Sequence, residues 1–269
     1  MILKSYQRFL PILLSLLLVV VLPGYFPLTQ NKKKQYVILK MDDLKAENKE
    51  SFKPQWQQFI DLMERKKIKA TIGIINETLE TAPDSYIEWI KSKHKSGQIE
   101  FWHHGLDHKR NNLDPLNPGE FDGTPYTYQK EHFEKSMALA KEKLGISYKT
   151  FGAPYNKTDE SFINVLNENT NISVWFFGDS QAKVHNVLVL ERFGINLEKK
   201  VGDPDFETFH AGYLKNTDKD YLVLQGHPGN WDEVDFNEFE KVIDFLLNKK
   251  VMFVTANEYF EIKGYEKNK

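Results

Sequence analysis

Two rhythms of apolar and polar positions run along this chain. Short apolar runs of strand length recur, and longer stretches with helical spacing stand between them. Tyr36-Val37-Ile38-Leu39 reads as a strand, and Pro54 to Lys66 then sets Trp56, Phe59, Ile60 and Met63 at i, i+3, i+4 and i+7, one face of a helix. Ala70 to Ile75 predicts a buried strand, Asp84 to Lys95 a helix stopped by Gly97, and Ile99 to Trp102 a third strand. Tyr128 to Leu144 predicts a helix carrying Phe133, Met137, Ala140 and Leu144, stopped by Gly145. Tyr148 to Phe151 reads as a strand, Asp159 to Glu168 as a helix, and Ile172 to Phe177 and Val187 to Leu190 as strands. A helix over Phe206 to Leu214, a strand over Tyr221 to Gln225, a helix over Asn237 to Lys249 and a last strand over Val251 to Val254 complete the pattern. Seven or eight strands separated mostly by helices imply an α/β fold with a parallel sheet. A stretch of about 240 residues suits a closed or nearly closed β/α barrel better than an open doubly wound sheet. No glycine-rich loop follows a strand, which argues against nucleotide binding.

The first 30 residues break this pattern. Lys4 and Arg8 precede an apolar run from Ile12 to Leu22, and Pro23, Gly24, Pro27 and the lysines 32–34 follow. This is the layout of a secretory signal. Extended from Phe9 to Leu28, the run reaches roughly the 20 residues that span a bilayer, so an uncleaved anchor is favoured over a cleaved signal. Either way the remainder is expected outside the cytoplasmic membrane, touching it only through this segment. The expected organisation is a signal or anchor over residues 1–30 and one barrel domain over 31–269.

Charge and composition narrow the chemistry. The 36 Lys and Arg are balanced by 38 Asp and Glu, a net charge of −2, so the basic field that nucleic acid requires is missing. The chain has no cysteine. Disulfides, thiolate metal sites, iron–sulfur clusters, a cysteine nucleophile and lipid attachment at cysteine are thereby excluded. Any metal must sit on His, Asp or Glu. There is no His-Glu-x-x-His and no Gly-x-Ser-x-Gly, so a zinc peptidase of that type and a serine hydrolase lack support.

The polar residues gather just past the strands, where a parallel barrel keeps its chemistry. Asp42-Asp43 follow the first strand, and His103, His104 and His108 the third. Gly152-Ala153-Pro154-Tyr155-Asn156, Asp179 and His227 each follow a later one. Adjacent strand residues face opposite ways, but at a strand end both carboxylates can turn into the rim. One of them can then bind a metal while its neighbour serves as a base; the same dipeptide also fits a solvated turn. His104 and His108, four apart, can meet at one point, and two imidazoles with a carboxylate suit a borderline divalent ion. His103 is expected to pack or hydrogen-bond beside them. His94, His132, His185 and His210 read as solvent-facing.

Taken in order, Met41-Asp42-Asp43, Glu100-Phe101-Trp102-His103-His104-Gly105-Leu106-Asp107-His108, Ala153-Pro154-Tyr155 and Leu222-Val223-Leu224-Gln225-Gly226-His227 resemble the polysaccharide deacetylase family, carbohydrate esterase family four. The resemblance spans Gln35 to Glu261. It implies a distorted seven-stranded β/α (TIM-like) barrel and a divalent metal, most often zinc, with an acetylated polysaccharide or oligosaccharide as substrate. By position it implies Asp43, His104 and His108 as metal ligands, Asp42 as general base, His227 as general acid, and the Tyr155 N–H as an oxyanion donor. The departures are specific. Members usually carry Arg where this chain has Gly152 and Gly where it has Asn156, and their first motif begins with Thr and ends with Gly where this chain has Lys40 and Leu44. Lys40 lies two residues before Asp42 and so shares its strand face. It is therefore expected to replace the missing cation, with Arg192 the competitor. Asp179 is the candidate to tune His227. Trp231, after the acid, and Tyr126, on the loop from Lys109 to Thr127, are the candidate sugar-stacking aromatics. Two other functions stay open: a catalytically silent carbohydrate-binding homologue, and an acetyl-ester or amide hydrolase acting on small molecules.

Overall fold

The computed structural model describes residues 34–47, 51–110 and 116–267. The signal or anchor expected over residues 1–30 lies outside them. Among the described residues no helix is long and apolar enough to cross a membrane.

Among the described residues ten strands form in chain order: β1 (Tyr36–Leu44), β2 (Ala46–Glu47), β3 (Ser51–Phe52), β4 (Ala70–Ile74), β5 (Ile99–His103), β6 (Thr150–Gly152), β7 (Val174–Phe176), β8 (Leu188–Leu190), β9 (Tyr221–Gly226) and β10 (Met252–Phe253). β2 and β3 make a small antiparallel hairpin. The other eight form one parallel sheet in the order β10-β1-β4-β5-β6-β7-β8, with β9 paired along β1 from Tyr36↔Tyr221 to Met41↔Gly226. This is the expected distorted barrel. Among the described residues no ladder joins β8 to β9, so the curled sheet keeps an open seam there.

The helices are α1 (Pro54–Lys66), α2 (Asp84–Lys95), α3 (Tyr126–Leu139), α4 (Glu160–Glu168), α5 (Phe206–Leu214), α6 (Glu233–Asn248) and α7 (Ala256–Lys267). The apolar face read from the sequence of α1 is buried at Trp56, Phe59, Ile60 and Met63, and Pro54 opens the helix where a missing N–H costs nothing. α6 begins four residues before the predicted Asn237, because Asp232 and Asp235 form a reciprocal capping box. α3 begins two residues early and runs on as a π turn over Ala140–Leu144. α7 was not predicted.

Alternation along β1 divides the molecule. Val37, Leu39 and Met41 pack in the larger core, whereas Ile38 belongs to a second core with Trp102, Phe176, Leu190 and Val223 inside the barrel. Lys40 and Asp42 continue the Ile38 face, which sets a cation and a carboxylate on top of the inner core.

Candidate active site

A bulge puts both carboxylates of Asp42-Asp43 on the rim. Met41 pairs with Ile72 and Leu44 with Ile74, so two residues of β1 oppose the single Gly73 of β4. Asp43 takes φ 72, a left-handed conformation that turns its side chain from the far side of the strand to the near one. His108, Tyr155, Asn156 and Phe177, all close to strand ends, also have φ between 55 and 57.

Asp43, His104 and His108 converge, with one ligand atom from each within 4.8 Å of the others. Asp43 Oδ1 is 3.1 Å from His104 Nε2 and 3.3 Å from His108 Nε2. His104 Nδ1 is 2.8 Å from the Gly152 carbonyl. A neutral imidazole carries one N–H. With that proton donated to Gly152, the Nε2 lone pair faces a carboxylate, and a cation between them removes the repulsion. The donor set therefore fits a divalent ion. Burial works to raise the Asp43 carboxyl, but where His104 turns an N–H towards it that hydrogen bond and the nearby imidazoles outweigh burial and hold it below the usual carboxylate range. Burial, with His104 beside it, pushes His108 down to about 4, which leaves its imidazole neutral and able to ligate.

Asp42 is buried under a ring of hydrogen bonds. Lys40 Nζ donates to both of its oxygens at 2.7 and 2.6 Å, and Gln225 Nε2 donates to Oδ2 at 2.7 Å. Asn156 closes the ring, accepting from Lys40 at 3.2 Å and donating to Gln225 at 3.0 Å. The Lys40 ammonium lies over the rings of Trp102, Phe177 and Phe176 at 5.1, 5.2 and 5.8 Å. Its burial lowers its pKa against the pull of Asp42. A Cβ on Gly152 would sit 2.7 Å from Trp102 and 3.4 Å from the Lys40 stem, so an arginine has no room at this position. Arg192 does not reach Asp42 and lines the cavity instead.

His227 Nε2 faces Asp42 Oδ2 at 4.0 Å. Its other nitrogen, Nδ1, is 2.7 Å from Glu198, which also accepts from the His227 backbone N–H at 2.8 Å and from Trp231 Nε1 at 2.7 Å. Burial would lower His227, but the bond to Glu198 and the charges of Asp42 and Asp43 raise it overall. Glu198, not Asp179, therefore tunes His227. Asp179 lines a separate cavity with Thr158 and Gln181, and its carboxylate accepts from the Gln181 N–H. Trp231 is not a sugar platform, since it is 1% exposed among Phe59, Phe236 and Phe239. Tyr126, the first residue of α3, donates to Glu168 and does not line the site cavity. Tyr155 does line it, with its ring against His108 and its hydroxyl donating to the His108 carbonyl.

A second acidic group, missed in the sequence, holds the His104–His108 loop. Glu120 is buried and accepts from the backbone N–H groups of Leu106 and His108. His132 Nδ1 lies 3.2 Å from it, so this histidine is not a free surface group. Gly105, at φ 83, leaves the space that the carboxylate fills: a Cβ there would come within 2.5 Å of Glu120 Oε2. Asp107, Glu120 and His132 also cluster closely enough to hold an ion, but both Glu120 oxygens are already committed to the loop. His103 is buried and stacked on Phe133, as its expected packing role requires. Glu120→Gln replaces one acceptor by a donor against a loop N–H. Affinity for a divalent ion measured by calorimetry should fall about 10–100-fold, the usual effect of losing a partner behind a metal ligand.

The polysaccharide deacetylase family model matches residues 29–172. The chain belongs to the polysaccharide deacetylase family. The matched span carries the bulged aspartates and the His104–His108 loop, and β9 with His227 follows beyond it. No curated protein matches the sequence significantly. Among solved structures, a family 4 acetyl xylan esterase from Clostridium thermocellum in complex with a cobalt ion is similar at 17% identity and TM-score 0.60, covering 85% of this deacetylase-family chain and 92% of its own. The catalytic domain of a peptidoglycan N-acetylglucosamine deacetylase from Eubacterium rectale is similar at 15% identity and TM-score 0.55, with 84% and 90% covered. A family pseudoenzyme from Bacillus anthracis is similar at 9% identity and TM-score 0.57, with 86% and 66% covered. At these identities the likeness is one of fold.

Proposed function

We propose that this protein removes acetyl groups from N-acetylated sugars of an envelope or extracellular polysaccharide, using a divalent metal, for which the two-imidazole, one-carboxylate donor set favours zinc. The observation that carries the reading is that Asp42 and His227, 4.0 Å apart, line one cleft beside the Asp43–His104–His108 group. A cation held by those three ligands would polarise the acyl oxygen and make the attacking water more acidic. Asp42, oriented by Lys40 and Gln225, takes the proton from that water. His227, its protonated form favoured by Glu198, delivers a proton to the departing amine nitrogen. The Tyr155 N–H is the proposed backbone donor to the developing oxyanion.

Two cavities of about 440 and 270 Å³ share Asp42, Asp43, His108 and His227, which supports a cleft running across the reacting centre and hence a polymeric substrate over a small one. The silent-homologue reading rests on the missing arginine, and the Lys40–Asp42 pair, which supplies a cation to the base, speaks against it. An extracytoplasmic location, with the N-terminal segment as address or anchor, belongs to this proposal. Acetate release from N-acetylglucosamine oligomers by the full-length protein is expected to stop with chelator and return with added zinc. Release unaffected by chelator would defeat the metal assignment, and no release from any acetylated glycan would defeat the deacetylase reading.

A further inference from the structure

We propose that one arm of the cleft is a subsite for a carboxylate carried by the glycan, held by the Arg192 guanidinium with Lys199 and Lys200 beside it. The position of the subsite relative to the acetylated sugar rests on the deacetylase reading; its charge does not.

The argument begins at the open seam. The chain from Glu191 to Asp205 leaves β8 and leads into α5, and it walls the cavity with Arg192, Asn196, Glu198, Lys199, Lys200 and Val201. Every carboxylate facing this cavity is already engaged. Asp42 serves Lys40 and Gln225, Asp43 serves the two histidines, and Glu198 serves His227 and Trp231. The cations are less fully matched. Lys199 meets Asp205 at 3.1 Å and Lys200 reaches Asp203 only at 4.0 Å. Arg192 has no carboxylate partner among the described residues. Its Nη2 donates to Asn196 at 2.7 Å, and its Cζ stands 5.6 Å from the Phe177 ring. Two neutral contacts thus fix a full positive charge on the cavity wall.

The opposite arm differs. There Lys45 and Lys53 stand among Glu47, Glu77 and Asp107, and Lys53 pairs with Glu47 at 3.9 Å. An acetamido group is neutral and needs no cation, which leaves Arg192, without a carboxylate partner among the described residues, available to another part of the polymer. A planar guanidinium held at one edge keeps N–H groups free for a carboxylate, which it can bind in two-point fashion.

The test uses an oligosaccharide alternating N-acetylglucosamine with glucuronate, and the same oligomer after carboxyl reduction, which turns each glucuronate into neutral glucose. A third probe, an N-acetylglucosamine oligomer bearing an ether-linked lactyl acid on alternate sugars, separates a uronate from an ether-linked acid as the source. Calorimetric affinity of the full-length protein for an acidic form should exceed that for the reduced form by about tenfold at low salt, the worth of a charge-assisted hydrogen bond. The excess should shrink as salt rises. Arg192→Gln should bring the ratio close to one, and Arg192→Lys should fall between. Equal affinity for acidic and reduced forms, or a ratio unmoved by Arg192→Gln, would overturn the subsite. Acetate release is followed on the same probes. A binding preference without release would refute deacetylation and leave the subsite standing; equal binding with equal release would do the reverse.

Discussion

Lys40→Met should cost the protein about 3–5 kcal/mol of stability, the usual effect of removing one partner of a buried ion pair. Methionine matches the lysine stem in length, so contacts with Trp102 and Phe176 are largely kept and the loss reports on charge. Asp42, 2% exposed, would retain Gln225 but lose the ammonium now bonded to both of its oxygens. Turnover should fall at least about a hundredfold, within the range ascribed to a positioned base. A carboxylate deprived of a fixed cation prefers its protonated form, so the acidic limb of the pH–rate profile should move to higher pH. Denaturant unfolding and a pH series of acetate release measure the two effects. Unchanged turnover with an unchanged profile would mean that Lys40 is not the partner of Asp42.

Glu198→Gln should act at the other end of the reaction. The carboxylate of Glu198 raises His227 against a burial that alone would lower it. Without that charge, only Asp42 and Asp43 oppose burial, and the protonated imidazole is lost at lower pH. The alkaline limb of kcat/KM should therefore move down in pH, with the rate loss small in mild acid and growing towards about a hundredfold or more above neutrality, as general-acid catalysis fails. Stability follows the same sign. A histidine raised in the folded state stabilises fully below its ordinary range near 6.5, and the contribution fades as pH rises through the raised value. Melting temperatures of the two proteins should thus differ most in acid and draw together in alkali. A uniform rate loss at all pH values would make Glu198 a structural strut only.

Much of this arrangement could be read in advance because it depends on local order. Strand periodicity and glycine stops located the barrel elements, and the rule that chemistry follows strand ends gathered Asp42, Asp43, His104, His108 and His227 on one rim. Lys40 was found by counting two residues along a strand. The misses have a common cause in non-local geometry. Asp179 comes three residues after the end of β7, so adjacency favoured it, but among the described residues the sheet does not close at β8, and the segment crossing the seam delivers Glu198 instead. Nothing periodic surrounds Glu198. Trp231 stands between Asn230 and Asp232 and looks exposed, yet its indole N–H has a buried partner and its ring fills a gap between α1 and α6. Glu120 lies on a long loop without strand or helix periodicity, and only the fold shows the two backbone N–H groups that it accepts from. α7 has no continuous apolar stripe, since Tyr259 and Ile262 alternate with charged residues and Gly264, so the periodicity that revealed α1 had little to register.

The five left-handed residues around the cleft place the chain's interests in opposition. Asp43, His108, Tyr155, Asn156 and Phe177 hold a backbone shape that glycine would adopt with ease and that side chains resist. A search for sturdier variants would be drawn to these positions first, and each gain in repose would come from a residue that faces the substrate or shapes its surroundings. Durability and competence are thus set against each other at the same few bonds, and the most comfortable form of this protein is not the one that works.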